Sequence, residues 1–279
     1  MSARSHLYVP ANDLNRLEKA LTRKADALIV DLEDGVALCD KDMARKNLST
    51  WLQSLSTSVE IWVRINPAAQ YIDLDLACAV HKSVTGIVLP KTATLYDLKD
   101  LDQKISAIEK QVRIPKTLKV CALIESAEGI FNAREIATGP RVARLQIGES
   151  DLSADIGILG TQGQATMQYA RSIAVFASAN AGIDPPVAAV STDFQNLEEY
   201  RVSTQNFKQW GYFGRACIHP AQVAVANEIF TPSYDELRKA QDILDRLASA
   251  GGGVALDAQG KMIDEAIARI ARRVLNIGE

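Results

Sequence analysis

Histidine and cysteine are scarce in this chain, three and four among 279 residues. The cysteines (Cys39, Cys78, Cys121 and Cys217) stand far apart and match no zinc or redox spacing. That sets aside zinc modules, CxxC oxidoreductases and disulfide scaffolds, and reads as reduced thiols of a cytoplasmic protein. No run approaches the ~18 consecutive apolar residues of a membrane span, and the opening Met-Ser-Ala-Arg-Ser-His lacks the apolar core of a secretory signal. With 31 basic and 34 acidic residues the net charge is −3, and no arginine–aromatic patch appears, so neither a membrane nor a nucleic acid is an expected partner. The Gly-x-Gly-x-x-Gly fingerprint of dinucleotide folds is missing; the glycines from Gly157 to Gly163 lack its spacing and read as a loop.

What is present is alternation. Short apolar runs near 6–10, 27–32, 60–66, 86–90, 119–125, 143–148, 186–190 and 215–219 read as strands. Amphipathic helices fall between them. Leu14, Leu17 and Leu21 make one helical stripe; Leu95, Leu98, Leu101, Ile105 and Ile108 make another. Eight strands separated by helices predict an α/β chain folded as a (β/α)8 TIM barrel, spanning residues 1–230. Residues 231–279 break the pattern. A helix near 233–249 runs into Gly251-Gly252-Gly253, then two short apolar pieces around a turn at Asp257–Gly260. A final helix carries Ala266, Ile267, Ile270, Val274 and Leu275 on one side. A tail behind three glycines predicts a lid or partner-docking arm.

The strand ends carry the chemistry. Residues 27–32 read as a buried parallel strand, and the acids Asp31, Glu33 and Asp34 belong at its mouth, where a cation or substrate can meet them. Reading the other C-terminal strand ends gives Pro10, Arg64, Asn66, Lys91, Glu125, Glu149, Asp151 and His219. Glu125 and Asp151 end consecutive strands, and two neighbouring carboxylates repel unless a cation lies between them. With no histidine or cysteine beside them the donor set is all oxygen, which favours Mg²⁺. The plainer alternative is that each acid caps the following helix, beside Ser126 and Ser153. Arg64 suits bidentate capture of a carboxylate, or a structural ion pair with Asp31 or Glu33. Arg4, before the first strand, offers a second anion clamp or an exposed charge. Lys91 could form a Schiff base, but its place after Pro90 favours electrostatics or phosphate contact. Backbone amides around Gly148 and Glu149 could hold substrate oxygens. His6, His81 and His219 read as structural histidines, and Asp264 as the N-cap of the last helix.

These pieces, in this order, resemble the citrate lyase β-subunit-like family of the HpcH/HpaI aldolase superfamily. The landmarks are Arg4-Ser5-x-Leu7-x-Val9-Pro10, Asp31-Leu32-Glu33-Asp34-Gly35-Val36, Lys41 with Arg45, and Val63-Arg64-Ile65-Asn66. They continue through Leu89-Pro90-Lys91, Leu123-Ile124-Glu125, Gly148-Glu149-Ser150-Asp151-Leu152, Ile218-His219-Pro220 and Gly260-Lys261-Met262-Ile263-Asp264. The match spans nearly the whole chain. The resemblance implies a TIM barrel that cleaves or forms a carbon–carbon bond in a β-hydroxyacyl thioester. It implies Mg²⁺ held by Glu125 and Asp151, and a substrate carboxylate held by Arg64. Asp264 then falls on the aspartate of a C-terminal lid that reaches a neighbouring subunit, so a homotrimer or hexamer is expected; on this ground the acid role is preferred to the cap. The implied substrate is citramalyl-CoA or malyl-CoA, giving acetyl-CoA and the α-keto acid pyruvate or glyoxylate. Asp264 would protonate the departing thioester enolate, and Asp31, Glu33, Asp34 and Lys91 would support the site.

Related aldolases acting on free keto acids carry a histidine directly after the Asp-x-Glu run; here Asp34 stands there, which argues for the thioester branch. A citrate lyase β subunit using an acyl-carrier-protein substrate remains open, opposed by Asp264. A catalytically silent binding subunit is opposed by intact Arg64, Glu125, Asp151 and Asp264.

Overall fold

The computed structural model describes residues 3–114, 117–158, 163–251 and 253–278. Seven strands run parallel: β1 (Ser5–Pro10), β2 (Ala27–Asp31), β3 (Glu60–Arg64), β4 (Gly86–Leu89), β5 (Lys119–Ile124), β6 (Val142–Ile147) and β7 (Arg215–Cys217). Their order across the sheet is β6-β5-β4-β3-β2-β1-β7. Every residue of β2 and β4 is buried, which is why β4 and the first four residues of β2 are continuous apolar runs rather than alternating ones, with Asp31 closing β2 as a buried acid.

Helices link the strands: α1 (Leu14–Leu21), α2 (Lys41–Ser54), α3 (Ala69–Ala79), α4 (Leu95–Val112), α5 (Ala127–Phe131), α6 (Ala133–Ala137), α7 (Glu149–Asp155), α8 (Gln164–Ala181), α9 (Leu197–Gln209) and α10 (Pro220–Phe230). Their starts are chemically marked. Asp13 accepts from the Arg16 amide at 3.2 Å, and Thr94 with Asp97 forms a reciprocal capping box. Leu98, Leu101 and Ile105 bury the α4 stripe as expected. On α1 the buried residues are Leu17 and Ala20, whereas Leu14 is exposed.

The sheet curls. Arg144 on β6 reaches His6 on β1 at 3.3 Å, although five inter-strand spacings separate them. In a flat sheet that distance would be ~24 Å. Tyr8, Ala27, Ile29, Trp62, Val88, Cys121 and Leu123 pack together in the interior. The Arg144 guanidinium lies 4.6 Å from the Trp62 ring centre.

The expected eighth strand at 186–190 is not a regular strand. Val187 bridges Gln146 and Ala188 bridges Arg215, each in isolation. Pro185 and Pro186 have no N–H to donate, so the ladder cannot extend backwards. The architecture is thus a curled seven-stranded parallel sheet rather than eight full strands. Residues 159–162 of the Gly157–Gly163 run, and Gly252 of the three-glycine break, lie outside the described residues.

The chain separates into two compact units, one ending at Asn227 and one starting at Glu228. In the second unit α11 (Tyr234–Ser249) begins with a Ser233–Glu236 capping box. Two short antiparallel strands follow, β8 (Ala255–Leu256) and β9 (Met262–Ile263), and then α12 (Glu265–Gly278). Leu247, Ile263 and Ala268 form its core. The buried side of α12 is therefore Ala268 and Ala271, with Val274 and Leu275 half-buried; Ala266, Ile267 and Ile270, expected on that side, are exposed. Among the described residues no helix is long and apolar enough to cross a membrane.

Candidate active site

Lateral register builds the site. Pro10 pairs with Asp31 across β1 and β2, and Asp31 with Arg64 across β2 and β3, so these residues share the C-terminal edge of the sheet. Asp31 is saturated there. Its oxygens accept from the Glu33 and Gly35 amides, each at 2.9 Å, and from Arg64 Nε and NH2 at 2.8 and 2.6 Å. A Cβ at position 35 would stand 2.4 Å from Asp31 Oδ2, so this turn needs glycine. Arg64 also meets Glu33 Oε2 at 3.0 Å, and its guanidinium lies 5.1 Å from the Tyr8 ring centre. Burial works against its charge, but the bonds and the field of Asp31 more than offset this and raise its pKa. The ion pair weighed as one alternative for Arg64 is thus present, and the guanidinium is oriented by it.

Glu33 is buried, and both its carboxylate oxygens lack a hydrogen-bond partner. The Arg64 contact is close in distance yet outside hydrogen-bond geometry, and Lys91 Nζ stands 3.4 Å from Glu33 Oε1. Burial pushes the Glu33 carboxyl above its ordinary pKa, against the opposing pull of Arg64. Lys91 has the left-handed φ of 54°, uncommon without glycine, and its amide donates to Glu125 Oε2 at 2.8 Å. Its side chain is half exposed, so the lysine spans two carboxylates: backbone to Glu125, ammonium to Glu33.

Glu125 follows β5 and is buried; burial pushes its carboxyl up to about 7, opposed by the Lys91 amide and reinforced by Glu33 and Asp151. Gly148 makes its cradle, since a Cβ there would lie 2.4 Å from Glu125 Oε1. Asp151 stands exposed on the first turn of α7, within the field of Glu125. The capping alternatives fail for both acids. Gly148 is the N-cap of α7, Ser153 lies inside that helix, and Ser126 itself caps α5 by accepting from the Gly129 amide.

A polar network backs the acidic turn. Lys41 Nζ donates to Leu32 O, Glu33 O and Asn66 Oδ1 at 2.7–2.8 Å. Asn66 donates from its backbone and side chain to the fully buried Asp75, whose other oxygen takes Arg45 Nε at 2.6 Å. Asp75 was missed in the sequence; its signal was an acid on the buried side of α3, beside Leu76 and in helical phase with Ala79. Tyr8 and Arg171 were also missed, because nothing local marks a tyrosine on an inward strand face or an arginine within a helix as a partner.

One expected substrate contact falls elsewhere. Arg4 precedes β1 and is bound through Nε and NH2 to Asp26, at 2.7 and 2.9 Å. Asp26 precedes β2, so the pair occupies the N-terminal edge of the sheet, opposite the acids, and Arg4 does not clamp an anion at this site. The Glu149 carboxylate is engaged by Arg171 Nε and NH2 at 2.7 and 2.5 Å, which leaves its backbone, not its side chain, for any ligand. Asp34 is exposed beside Glu33. His219 Nδ1 accepts from the Ala221 amide and its ring stacks on Phe194; buried His6 is driven down to about 3 by desolvation and Arg144. In the second unit, Asp264 Oδ1 accepts from the Ile267 amide at 3.0 Å and caps α12.

Among the described residues no group of three or more His, Cys, Asp or Glu side chains is arranged to hold a metal. Mg²⁺ does not require one, since it takes one or two carboxylates and completes its shell with water and substrate. The residues present fit it. Counted as fully ionised, these rim elements carry five carboxylates (Asp31, Glu33, Asp34, Glu125, Asp151) and three cations (Lys41, Arg64, Lys91), a formal deficit of two positive charges. The donors are all oxygen, and the Glu33 oxygens are orphaned.

The sequence model of the family described as HpcH/HpaI aldolase/citrate lyase matches residues 4–220. The citrate lyase subunit beta of Leuconostoc mesenteroides subsp. cremoris is 32% identical, over 98% of this chain and 92% of its own. A (3S)-malyl-CoA thioesterase of Cereibacter sphaeroides is 31% identical, over 98% and 93%. Among solved structures, the CitE protein of Mycobacterium tuberculosis in complex with magnesium, acetoacetate and coenzyme A superposes with a TM-score of 0.78 at 27% identity, covering 98% of this chain and 97% of that one.

Proposed function

Because this chain belongs to the HpcH/HpaI aldolase/citrate lyase family, we propose that it is a magnesium-dependent carbon–carbon lyase that cleaves a β-hydroxyacyl-CoA thioester of the citramalyl-CoA or malyl-CoA type. The products are acetyl-CoA and pyruvate or glyoxylate, and the reaction is reversible. The observation that carries this reading is the formal deficit of two positive charges at a rim that also presents an oriented guanidinium. Glu125 and Asp151 are the residues that would hold the ion. When bound, Mg²⁺ supplies Lewis acidity that makes a substrate hydroxyl a stronger acid.

The protein's own groups do the rest. Arg64, aligned by Asp31 and Glu33, pairs with the substrate carboxylate through N–H groups those acids leave available. Amides of the Gly148–Glu149 turn orient the keto-acid oxygens. The hydroxyl gives up its proton to water and its O–H electron pair becomes the keto C=O, while the pair of the broken carbon–carbon bond stays on the thioester fragment as an enolate, to whose carbon Asp264 delivers a proton. The same carboxylate removes the proton in the condensing direction. We assign Asp264 to the site of a second copy, the tail serving as a lid exchanged within a homotrimer or hexamer.

Purified protein with Mg²⁺ and each thioester should release pyruvate or glyoxylate, and EDTA should abolish the release; no keto acid from any of them would refute the lyase reading. Similarity to a (3S)-malyl-CoA thioesterase motivates a second reading, hydrolysis, in which malyl-CoA yields free malate and thiol instead. If the acid comes from another copy, mixing inactive Asp151→Ala and Asp264→Ala proteins restores activity. Permanent silence of the mixture would confine both groups to one chain.

A further inference from the structure

Glu33 is costly where it stands unless something else binds it. Asp31 alone neutralises Arg64 and meets it with two hydrogen bonds, so a second buried carboxylate is not needed to hold the guanidinium. Yet Glu33 is buried beside it with both oxygens free of hydrogen bonds, held only by charge contacts to Arg64 and to Lys91 Nζ. Buried carboxylates without donors are rare, and such a group points to a partner that brings donors with it. Lys91 ties Glu33 to the metal candidate directly, since the same residue gives its amide to Glu125 and its ammonium to Glu33.

We propose that Glu33 is the outer-sphere carboxylate of the magnesium site, accepting hydrogen bonds from the waters of an ion held by Glu125 and Asp151. This rests on the magnesium reading above. Mg²⁺ dehydrates reluctantly and keeps several waters, each a donor, so two buried acceptors with no protein donor complement it. Lys91 is then a positioning residue for both acids, its left-handed backbone turning the amide toward one while its side chain restrains the other.

The test is Mg²⁺ binding by titration calorimetry, without substrate, on the full chain and on Glu33→Gln and Glu33→Asp. Removing an outer-shell partner weakens metal binding 10–100-fold in general, and Glu33→Gln is expected in that range, with Glu33→Asp between it and the unaltered protein. The metal-free melting temperature supplies the second readout. An outer-sphere acid is a liability without the ion, so Glu33→Gln should melt at or above the unaltered protein. A residue that merely holds Arg64 would lower it. Affinity within twofold of the unaltered protein, in either variant that folds, overturns the proposal. Absence of Mg²⁺ binding by the unaltered protein overturns the magnesium reading itself and this inference with it.

Discussion

Replacing Glu125 by glutamine in the metal-free protein should stabilise it at pH 8 and leave it unchanged near pH 4. The carboxyl is raised from 4.5 to about 7, chiefly by burial. A raised carboxyl binds more protons folded than unfolded between these values, so its contribution is fully present below pH 4.5 and is lost as pH rises through 7. A shift of this size corresponds to about 3 kcal/mol at full ionisation. Glutamine keeps an oxygen for the Lys91 amide and removes the charge, so it escapes that loss. For a chain of this length about 3 kcal/mol moves the midpoint by roughly 6 °C. The assay is thermal unfolding in EDTA at pH 4, 6 and 8, with the difference growing across the series. An equal shift at every pH, or a less stable variant at pH 8, would refute the burial argument. Since a liganding carboxylate must be ionised, Mg²⁺ should also bind tighter as pH rises toward 7 and take up the lost stability.

Gly148→Ala should fold yet lose Mg²⁺ affinity, because the new methyl displaces the Glu125 carboxylate, the movable end of a side chain; calorimetry showing normal affinity would contradict the cradle. Lys91→Gly should unfold in urea at a concentration no lower than Lys91→Ala, with about 1 kcal/mol in favour of glycine at the left-handed φ; the reverse order would show that backbone strain is not stored there. Asp264→Asn should preserve the α12 cap and abolish most turnover, whereas Asp264→Ala should in addition cost about 1 kcal/mol in the second unit. Full activity of the asparagine variant would return Asp264 to capping alone.

Composition and periodicity were enough to mark seven strands, the acids at the mouth of the second and the helical stripe on α4, because burial imprints a local pattern on each element. They also sufficed to place Glu125 at a strand end, since that depends only on where an apolar run stops. Partnership is a different quantity. Whether Arg64 finds Asp31 and whether Arg4 meets Asp26 depends on lateral register between strands, and whether Glu149 turns to Arg171 on how α7 and α8 lie together, which join residues 22 to 33 positions apart. No window along the chain contains both members of such a pair. The same holds for the residues at 187 and 188, whose apolar run reads as a strand but whose ladder fails beside two prolines. The orphaned state of Glu33 became visible only once folding had surrounded it, because a missing hydrogen bond is a property of the whole neighbourhood rather than of any residue.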